Sequence, residues 1–153
     1  MKHEGDPGSD HKIAVVGKGV TFDTGGLNLK PTSAIEDMYL DKSGACVTLG
    51  LFKWIKEMNI PINISCVLAL AENSIDSNSF KPSDIITSKK GITVEIGNTD
   101  AEGRLCLGDA MTYIQQQESP KVLVDIATLT GAVLVALGEN TAGLFGNDKK
   151  FLD

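Results

Sequence analysis

The chain has 153 residues, of which 42% are hydrophobic and 22% are charged, and its net charge is −6. This length suits one domain with its own core, and the composition excludes wholesale disorder. The acidic balance argues against nucleic acid or an anionic membrane as the main partner. The sequence contains no apolar run of the roughly 18 residues that a membrane helix needs. Its first ten residues do not have the pattern of a signal peptide.

The cysteines and histidines limit the kinds of reactive site. Cys46, Cys66 and Cys106 are isolated and form no CxxC pair, which is typical of reduced thiols inside the cell. Both histidines, His3 and His11, lie in the polar N-terminal segment. This excludes a histidine-ligated zinc site and a histidine-activated nucleophile within the body of the chain. A metal ion would have to be held mainly by oxygen ligands.

The hydrophobic pattern predicts the elements in chain order. Residues 1–11 are rich in glycine, proline and charge, and we expect a flexible leader there. The remaining predictions are a strand at 13–16, a glycine-rich loop at 17–33, a helix at 43–58, a strand at 62–71, a polar loop at 72–83, a hairpin formed by 84–87 and 92–96, a helix at 101–117, a strand at 122–127 and an apolar stretch at 132–137.

Buried strands that alternate with amphipathic helices predict an α/β fold, with a mostly parallel sheet and helices on both faces. The predicted organisation is therefore the leader followed by one domain at 12–153. In such sheets ligands bind beyond the carboxyl ends of the strands. Three loops follow predicted strand ends, at 17–30, 97–104 and 128–131.

The first of these loops reads GKGVTFDTGGLNLK. It matches neither the Walker A spacing nor the GxGxxG of dinucleotide-binding folds. Glycines flank Lys18 and follow Asp23, so the backbone can turn tightly and direct both side chains inward. A surface loop with solvated charges, or a phosphate-binding module, would explain the same residues.

The second loop reads NTDAEGRL at 98–105. Asp100 and Glu102 are explained by the start of a helix, where acidic side chains interact favourably with the helix dipole. Arg104 is not explained in this way, because a cation in the first turn opposes the dipole. Asp41, ahead of the helix at 43–58, also has the simpler explanation of an N-terminal acid.

Taken together, these loops concentrate charge at the ends of strands. They hold four carboxylates and three cations, at Asp23, Asp41, Asp100, Glu102, Lys18, Lys30 and Arg104. Four carboxylates balance two divalent cations, and two neighbouring metals can together activate a water and polarise a carbonyl. The set predicts metal-assisted hydrolysis.

The octapeptide at 98–105 resembles the signature of the cytosolic leucyl aminopeptidases, a family of metallopeptidases. The segment at 17–30, Asp41 and the segment at 127–131 match in the family's order, and the resemblance covers about 13–147. It implies part of the catalytic domain of a longer cytoplasmic hydrolase, which removes leucine-type residues from peptides with a free N-terminus. It also implies a homo-hexamer for the full-length parent, and no membrane or nucleic-acid partner.

The resemblance further implies two divalent metal ions, zinc first and manganese or magnesium as alternatives. The implied metal ligands are Lys18, Asp23, Asp41, Asp100 and Glu102. Asp23 and Glu102 would bridge the metals, and Lys18 would bind as a neutral amine, which requires a strongly depressed pKa.

The remaining implied roles belong to catalysis and substrate binding. Lys30 would stabilise the oxyanion, and Arg104 would hold a bicarbonate ion that acts as the general base. The implied substrate pocket consists of Met38, Thr128, Leu129 and Gly131, although Met38 is explained equally well by simple packing. Because the family is longer than this chain, we expect the chain alone to be weakly active or inactive. A non-catalytic structural or assembly fragment is the alternative.

Overall fold

Four of the six strands form one sheet in the computed structural model, which describes residues 1–152. The strands in chain order are β1 (Lys2–Glu4), β2 (Lys12–Asp23), β3 (Asn63–Asn73), β4 (Ile85–Thr87), β5 (Thr93–Glu95) and β6 (Val122–Ile126). The order in the sheet is β1-β3-β2-β6. β2 pairs in parallel with β3 and β6, and β1 pairs antiparallel with β3. The predicted hairpin is confirmed, with β4 and β5 as its strands.

Two long helices account for most of the helical structure. The helices are α1 (Thr32–Ile35), α2 (Ser43–Glu57), α3 (Glu102–Glu118), α4 (Ala132–Leu137) and α5 (Lys149–Leu152), with short 3-10 turns at Met38–Leu40 and Thr99–Ala101. Within residues 1–152, no helix combines the length and the apolar character needed to cross a membrane.

The core has two layers, one on each side of β2. Alternate residues of a strand point to opposite faces of the sheet, so each face is covered by a different helix. Buried side chains on the α3 side are Ala14, Val16, Leu107 and Ile114. Those on the α2 side are Val15, Ile55, Ile64 and Cys66. The predicted α/β fold, with a mostly parallel sheet and helices on both faces, is confirmed.

The predicted loop at 17–33 is wrong in its first part, because β2 continues to Asp23. Its glycines serve close packing between elements. A Cβ on Gly17 would lie 2.6 Å from the carbonyl oxygen of Gly44, at the start of α2. A Cβ on Gly44 would in turn lie 2.0 Å from the carbonyl oxygen of Ile126. The helix can therefore approach the sheet only where side chains are absent.

The predicted flexible leader is also wrong for its first residues, which form β1. Lys2 pairs with Ser65, and the N-terminal ammonium donates a hydrogen bond to the Cys66 carbonyl oxygen over 2.9 Å. The exposed edge of β3 offers unpaired backbone groups, and a short polar strand can satisfy them. Such a strand needs no apolar alternation, so the sequence pattern does not reveal it.

Candidate metal centre and active site

The carboxyl end of β2 lies beside two other chain segments, and together they form one polar cluster. β2 supplies Lys18 and Asp23, the loop after it supplies Lys30, and the turn before α2 supplies Asp41. The start of α3 supplies the remaining two members, Asp100 and Glu102. The structure thus brings together six of the seven charged residues predicted to carry chemistry.

The inner half of the cluster is centred on Lys18. Its Nζ lies 2.7 Å from Asp41 Oδ2 and 3.0 Å from Glu102 Oε1, and all three side chains are buried. Nζ also donates to the backbone carbonyl oxygen of Thr128 over 3.0 Å. The Thr128 hydroxyl donates to Asp41 Oδ1 over 2.7 Å. Lys18 faces carboxylates, so the alternative of a phosphate-binding loop has no support here.

The outer half is centred on Lys30, which is partly exposed. Its Nζ lies 3.1 Å from Asp23 Oδ2 and 2.5 Å from Asp100 Oδ1. Asp23 Oδ1 accepts hydrogen bonds from the Gly25 N–H at 2.9 Å and from Asn73 Nδ2 at 2.8 Å. The carboxylate of Asp23 is therefore held in one orientation from both sides.

The oxygen donors suit divalent cations. Asp23, Asp100 and Glu102 each offer an oxygen, and these oxygens all lie within 4.8 Å of one another. Two buried oxygens, Asp41 Oδ2 and Asp100 Oδ1, have no hydrogen-bond partner among the described residues, and each lies within ion-pair distance of a lysine ammonium. Carboxylate oxygens left in this way are ready acceptors for a cation. The residues present fit a metal centre, with the two lysines as its counter-charges.

Burial and neighbouring charge act against each other on the pKa values. Burial raises the pKa of Asp41 and of Glu102, and the hydrogen bonds and charge of Lys18 offset this rise only in part. Burial would also raise the pKa of Asp23, but the Gly25 N–H, the Asn73 amide and Lys30 together bring it below its ordinary value.

The two lysines show the opposite balance. Burial lowers the pKa of Lys18, yet its hydrogen bonds and charge pairing with Asp41 and Glu102 make the net direction upward. The pKa of Lys30 is likewise raised, because Asp100 and Asp23 outweigh the effect of burial. Both lysines are therefore cations in this arrangement, and Lys18 would have to lose a proton before it could bind a metal.

Arg104 is the one charged residue of the predicted site that makes no described contact with the cluster. It is exposed on the first turn of α3, and no hydrogen bond or ion pair within residues 1–152 involves its side chain.

Of the residues of the predicted substrate pocket, Thr128 contacts the cluster directly, through its carbonyl oxygen to Lys18 and its hydroxyl to Asp41. Met38 is half-buried in the turn before Asp41, and Thr128, Leu129 and Gly131 are exposed after β6. The side chain of Leu129 reaches the inner cluster, because a Cβ on Gly103 would lie 3.1 Å from Leu129 Cδ1.

Three uncharged residues that the sequence did not single out help to build the site. Asn73 donates to two of the carboxylates, and Thr99 and Asn28 join the loop after β2 to the start of α3. Asn73 ends an apolar strand, and that position was the only available signal. Polar residues at the carboxyl ends of parallel strands border the ligand crevice.

The comparisons with known proteins all identify the same family. The model of the catalytic domain of the cytosol aminopeptidase family matches residues 1–153. A probable cytosol aminopeptidase of Persephonella marina is 53% identical over 142 residues, which are 93% of this chain and 28% of that protein. A second, of Fusobacterium nucleatum, is 47% identical over 98% of this chain and 31% of its own length.

Solved structures agree with the sequence relatives. The apo leucyl aminopeptidase of Trypanosoma cruzi superimposes with a TM-score of 0.93 at 44% identity, over 97% of this chain and 30% of that chain. The leucine aminopeptidase of Caenorhabditis elegans gives 0.86 at 40% identity, over 90% of this chain and 28% of its own. The chain thus spans about 30% of the length of its relatives.

Proposed function

The chain belongs to the cytosol aminopeptidase family, and from this premise we propose that it supplies the metal-binding core of a leucine-type aminopeptidase. The observation that carries the proposal is the cluster of four carboxylates, three of them buried, around Lys18 and Lys30. In a protein without a metal role, so many acids in one place would cost free energy through desolvation and repulsion.

We assign the metal ligands in two overlapping groups. Lys18 and Asp41 belong to one group, Asp100 belongs to the other, and Asp23 and Glu102 are shared between them. When bound, two divalent cations lower the pKa of a water molecule and polarise a scissile carbonyl. Zinc is the first expectation, with manganese or magnesium as alternatives, since carboxylates serve all three.

The remaining charged residues act on the substrate. The Lys30 ammonium, partly exposed beside Asp23 and Asp100, stabilises negative charge on the oxygen of the scissile carbonyl. Arg104 is exposed and has no protein anion beside it among the described residues, which suits a bicarbonate ion that acts as general base. Thr128 and Leu129 lie close to the inner cluster, and we propose that they receive the N-terminal side chain together with Met38 and Gly131.

The broader biological assignments rest on the family alone. Relatives are named cytosol aminopeptidases, so we propose a cytoplasmic enzyme that acts on peptides with a free N-terminus. A homo-hexamer is proposed for the full-length parent.

A second candidate is a structural or assembly fragment without catalysis. It is favoured by strongly exposed apolar side chains after β6, where Val135 is 91% and Phe145 is 90% exposed. Apolar side chains this exposed are typical of surfaces that pack against other protein regions. In this second candidate the chain contributes such a packing surface, and its cluster does not catalyse a reaction.

One experiment decides between the two candidates. The metal content of the purified full-length protein is measured, together with its hydrolysis of a leucyl anilide before and after chelation. The Glu102→Gln variant should lose metal and activity together, whereas Glu57→Gln, on the exposed face of α2, should lose neither. Full activity of a metal-free Glu102→Gln protein would contradict the two-metal proposal. Absence of metal and activity in the unmodified protein would favour the structural fragment.

A further inference from the structure

We infer that Asn73 is a positioning residue that orients the two shared carboxylates, and that it thereby sets the cation affinity of the centre; this rests on the proposed function. Asn73 is the last residue of β3 and is 6% exposed. Its Nδ2 lies 2.8 Å from Asp23 Oδ1 and 3.3 Å from Glu102 Oε2. A single amide group therefore contacts both acids.

The oxygens that Asn73 engages are those that the lysines leave free. Lys30 faces Asp23 Oδ2, and Lys18 faces Glu102 Oε1. Each carboxylate is therefore held at one oxygen by a neutral N–H donor and presents its other oxygen to a cation. Rotation of either carboxylate would break a hydrogen bond to Asn73, so the amide fixes the direction in which the acids point. Outer partners of metal ligands commonly act in this way.

An amide suits this position better than a charged or an apolar side chain. A carboxylate at residue 73 would add a further negative charge beside Asp23 and Glu102. A hydrocarbon would remove the side-chain donor to Glu102 Oε2 and leave Asp23 Oδ1 with the Gly25 N–H alone. A lysine would bring a third cation into a cluster that already holds two. The amide donates hydrogen bonds and adds no net charge.

The backbone of Asn73 has a separate structural role, which lets the side chain be tested by itself. Its carbonyl oxygen accepts from the Thr24 N–H over 2.8 Å and from the Thr24 hydroxyl over 2.9 Å. Asn73 also pairs with Asp23 in the register of the sheet. A substitution that removes only the side-chain amide leaves these backbone contacts in place.

The chain offers a matched control at the other end of the same strand. Asn63 is the first residue of β3 and is also buried. Its Nδ2 donates to the carbonyl oxygens of Asp6 and Ser9, at 2.6 Å and 2.9 Å, and contacts no member of the cluster. Replacing Asn63 removes a comparable buried amide far from the carboxylates.

The test is calorimetric titration of the metal-free full-length protein with MnCl2, before and after substitution, and the unmodified protein is also titrated with ZnCl2. Asn73→Leu, which is close to asparagine in size and lacks the N–H donors, should weaken Mn²⁺ binding on the order of 10- to 100-fold. Asn63→Leu should leave Mn²⁺ affinity unchanged. If Asn73→Leu does not fold, Asn73→Ser serves as the second variant, and it should also weaken binding.

The outcomes separate this inference from the proposed function. If the unmodified protein binds no Mn²⁺ and no Zn²⁺, the proposed function fails. If it binds metal and the Asn73 variants bind equally well, the inference about Asn73 is wrong. An equal loss of affinity in Asn63→Leu would also overturn it, because the effect would then reflect general loosening of β3.

Discussion

Asn28 and Thr99 exchange a pair of hydrogen bonds across 71 residues of sequence. The Asn28 N–H donates to Thr99 Oγ1 over 2.9 Å, and the Thr99 N–H donates to Asn28 Oδ1 over 2.8 Å. The Thr99 hydroxyl donates in turn to the Gly25 carbonyl oxygen over 2.6 Å. These contacts fasten the loop that carries Lys30 to the start of α3, so the two halves of the cluster are held as one unit.

The first prediction concerns the Thr99 hydroxyl. Thr99→Val keeps the shape of the side chain but leaves the buried Gly25 carbonyl oxygen without this donor and the Asn28 N–H without its acceptor. We expect the free energy of unfolding to fall by about 1–3 kcal/mol. Urea denaturation of the metal-free protein measures this loss.

Thr48 is the control for this substitution. It is as fully buried as Thr99, at 0% exposed for both. Its hydroxyl has no hydrogen-bond partner within the described residues. Thr48→Val should therefore be neutral or stabilising, because it removes a buried polar group that is already unsatisfied. Equal destabilisation by both variants would refute the importance of the Thr99 contacts.

The second prediction concerns two glycines in α3. A Cβ on Gly103 would lie 2.6 Å from Lys18 Cε and 2.8 Å from Lys18 Nζ, so Gly103→Ala should displace the lysine and weaken metal binding.

Gly108, in the same helix, has nothing within 4 Å of the added atom. Gly108→Ala should stabilise the protein by about 0.5–1 kcal/mol, because alanine loses less conformational freedom in a helix. Thermal unfolding and metal titration of both variants measure these effects. Unchanged metal binding in Gly103→Ala would contradict the prediction.

The sequence was sufficient to predict the three parallel strands of the sheet, its two covering helices and most of the charged residues that gather at its edge. Apolar runs mark β3 and β6 clearly, and parallel strands bring their carboxyl ends to one edge. Asp23, at the end of β2, could therefore be expected at this edge. Glu102 reaches it from the start of α3, which follows the separate hairpin of β4 and β5. Their catalytic and metal-binding roles stay predictions.

The rest could not be predicted because it depends on tertiary contacts. Gly17 favours a loop when only neighbours in sequence are considered, yet it lies inside β2 because α2 packs against it at Gly44. Asn73 and Thr99 carry no charge, and nothing in their local sequence distinguishes them from ordinary polar residues. Their importance comes from partners 26 to 74 residues away.

The third prediction concerns the stability of the protein at alkaline pH. Burial raises the pKa of the Cys66 thiol to about 11. An unfolded cysteine ionises near 8.5, so from about pH 9 upward the unfolded state loses this proton and the folded state keeps it. The contribution of Cys66 to stability is thus complete below that range and declines as the pH rises toward 11.

Comparison with a variant isolates this effect from other titrating groups. The difference in free energy of unfolding between the unmodified protein and Cys66→Ala should shrink between pH 8 and pH 11. The expected change is about 2–3 kcal/mol, which corresponds to the difference between the thiol pKa in the unfolded state and in the folded state. Cys46 is exposed, and Cys46→Ala serves as the control substitution. A constant difference for Cys66→Ala across this range would contradict the prediction.

The fourth prediction separates catalysis from metal binding at Lys30. Lys30 is partly exposed beside Asp23 and Asp100, and we assign it to the substrate carbonyl and not to the metals. Lys30→Ala in a full-length protein should keep both metals but lose turnover on the order of 10²–10³, as is common when an oxyanion donor is removed. Metal analysis and kcat with a leucyl anilide are the measurements. Unchanged turnover, or the loss of both metals, would show that Lys30 has another role.

The last prediction concerns the 153-residue chain by itself, which should be weakly active or inactive and prone to association. Leu144 and Phe145 are 70% and 90% exposed, and within residues 1–152 β6 pairs with β2 alone. Apolar surface and an open strand edge both favour contacts with other chains. Thr128, which contacts Asp41 and Lys18, lies two residues after the end of β6, so loosening of this edge would reach the inner cluster. A displacement of about 1 Å in a catalytic group can cost 10²-fold in rate. Light scattering measures association of the chain, and turnover per metal site is compared with that of a full-length family member at saturating metal. A monomeric chain with equal turnover would show the prediction to be wrong.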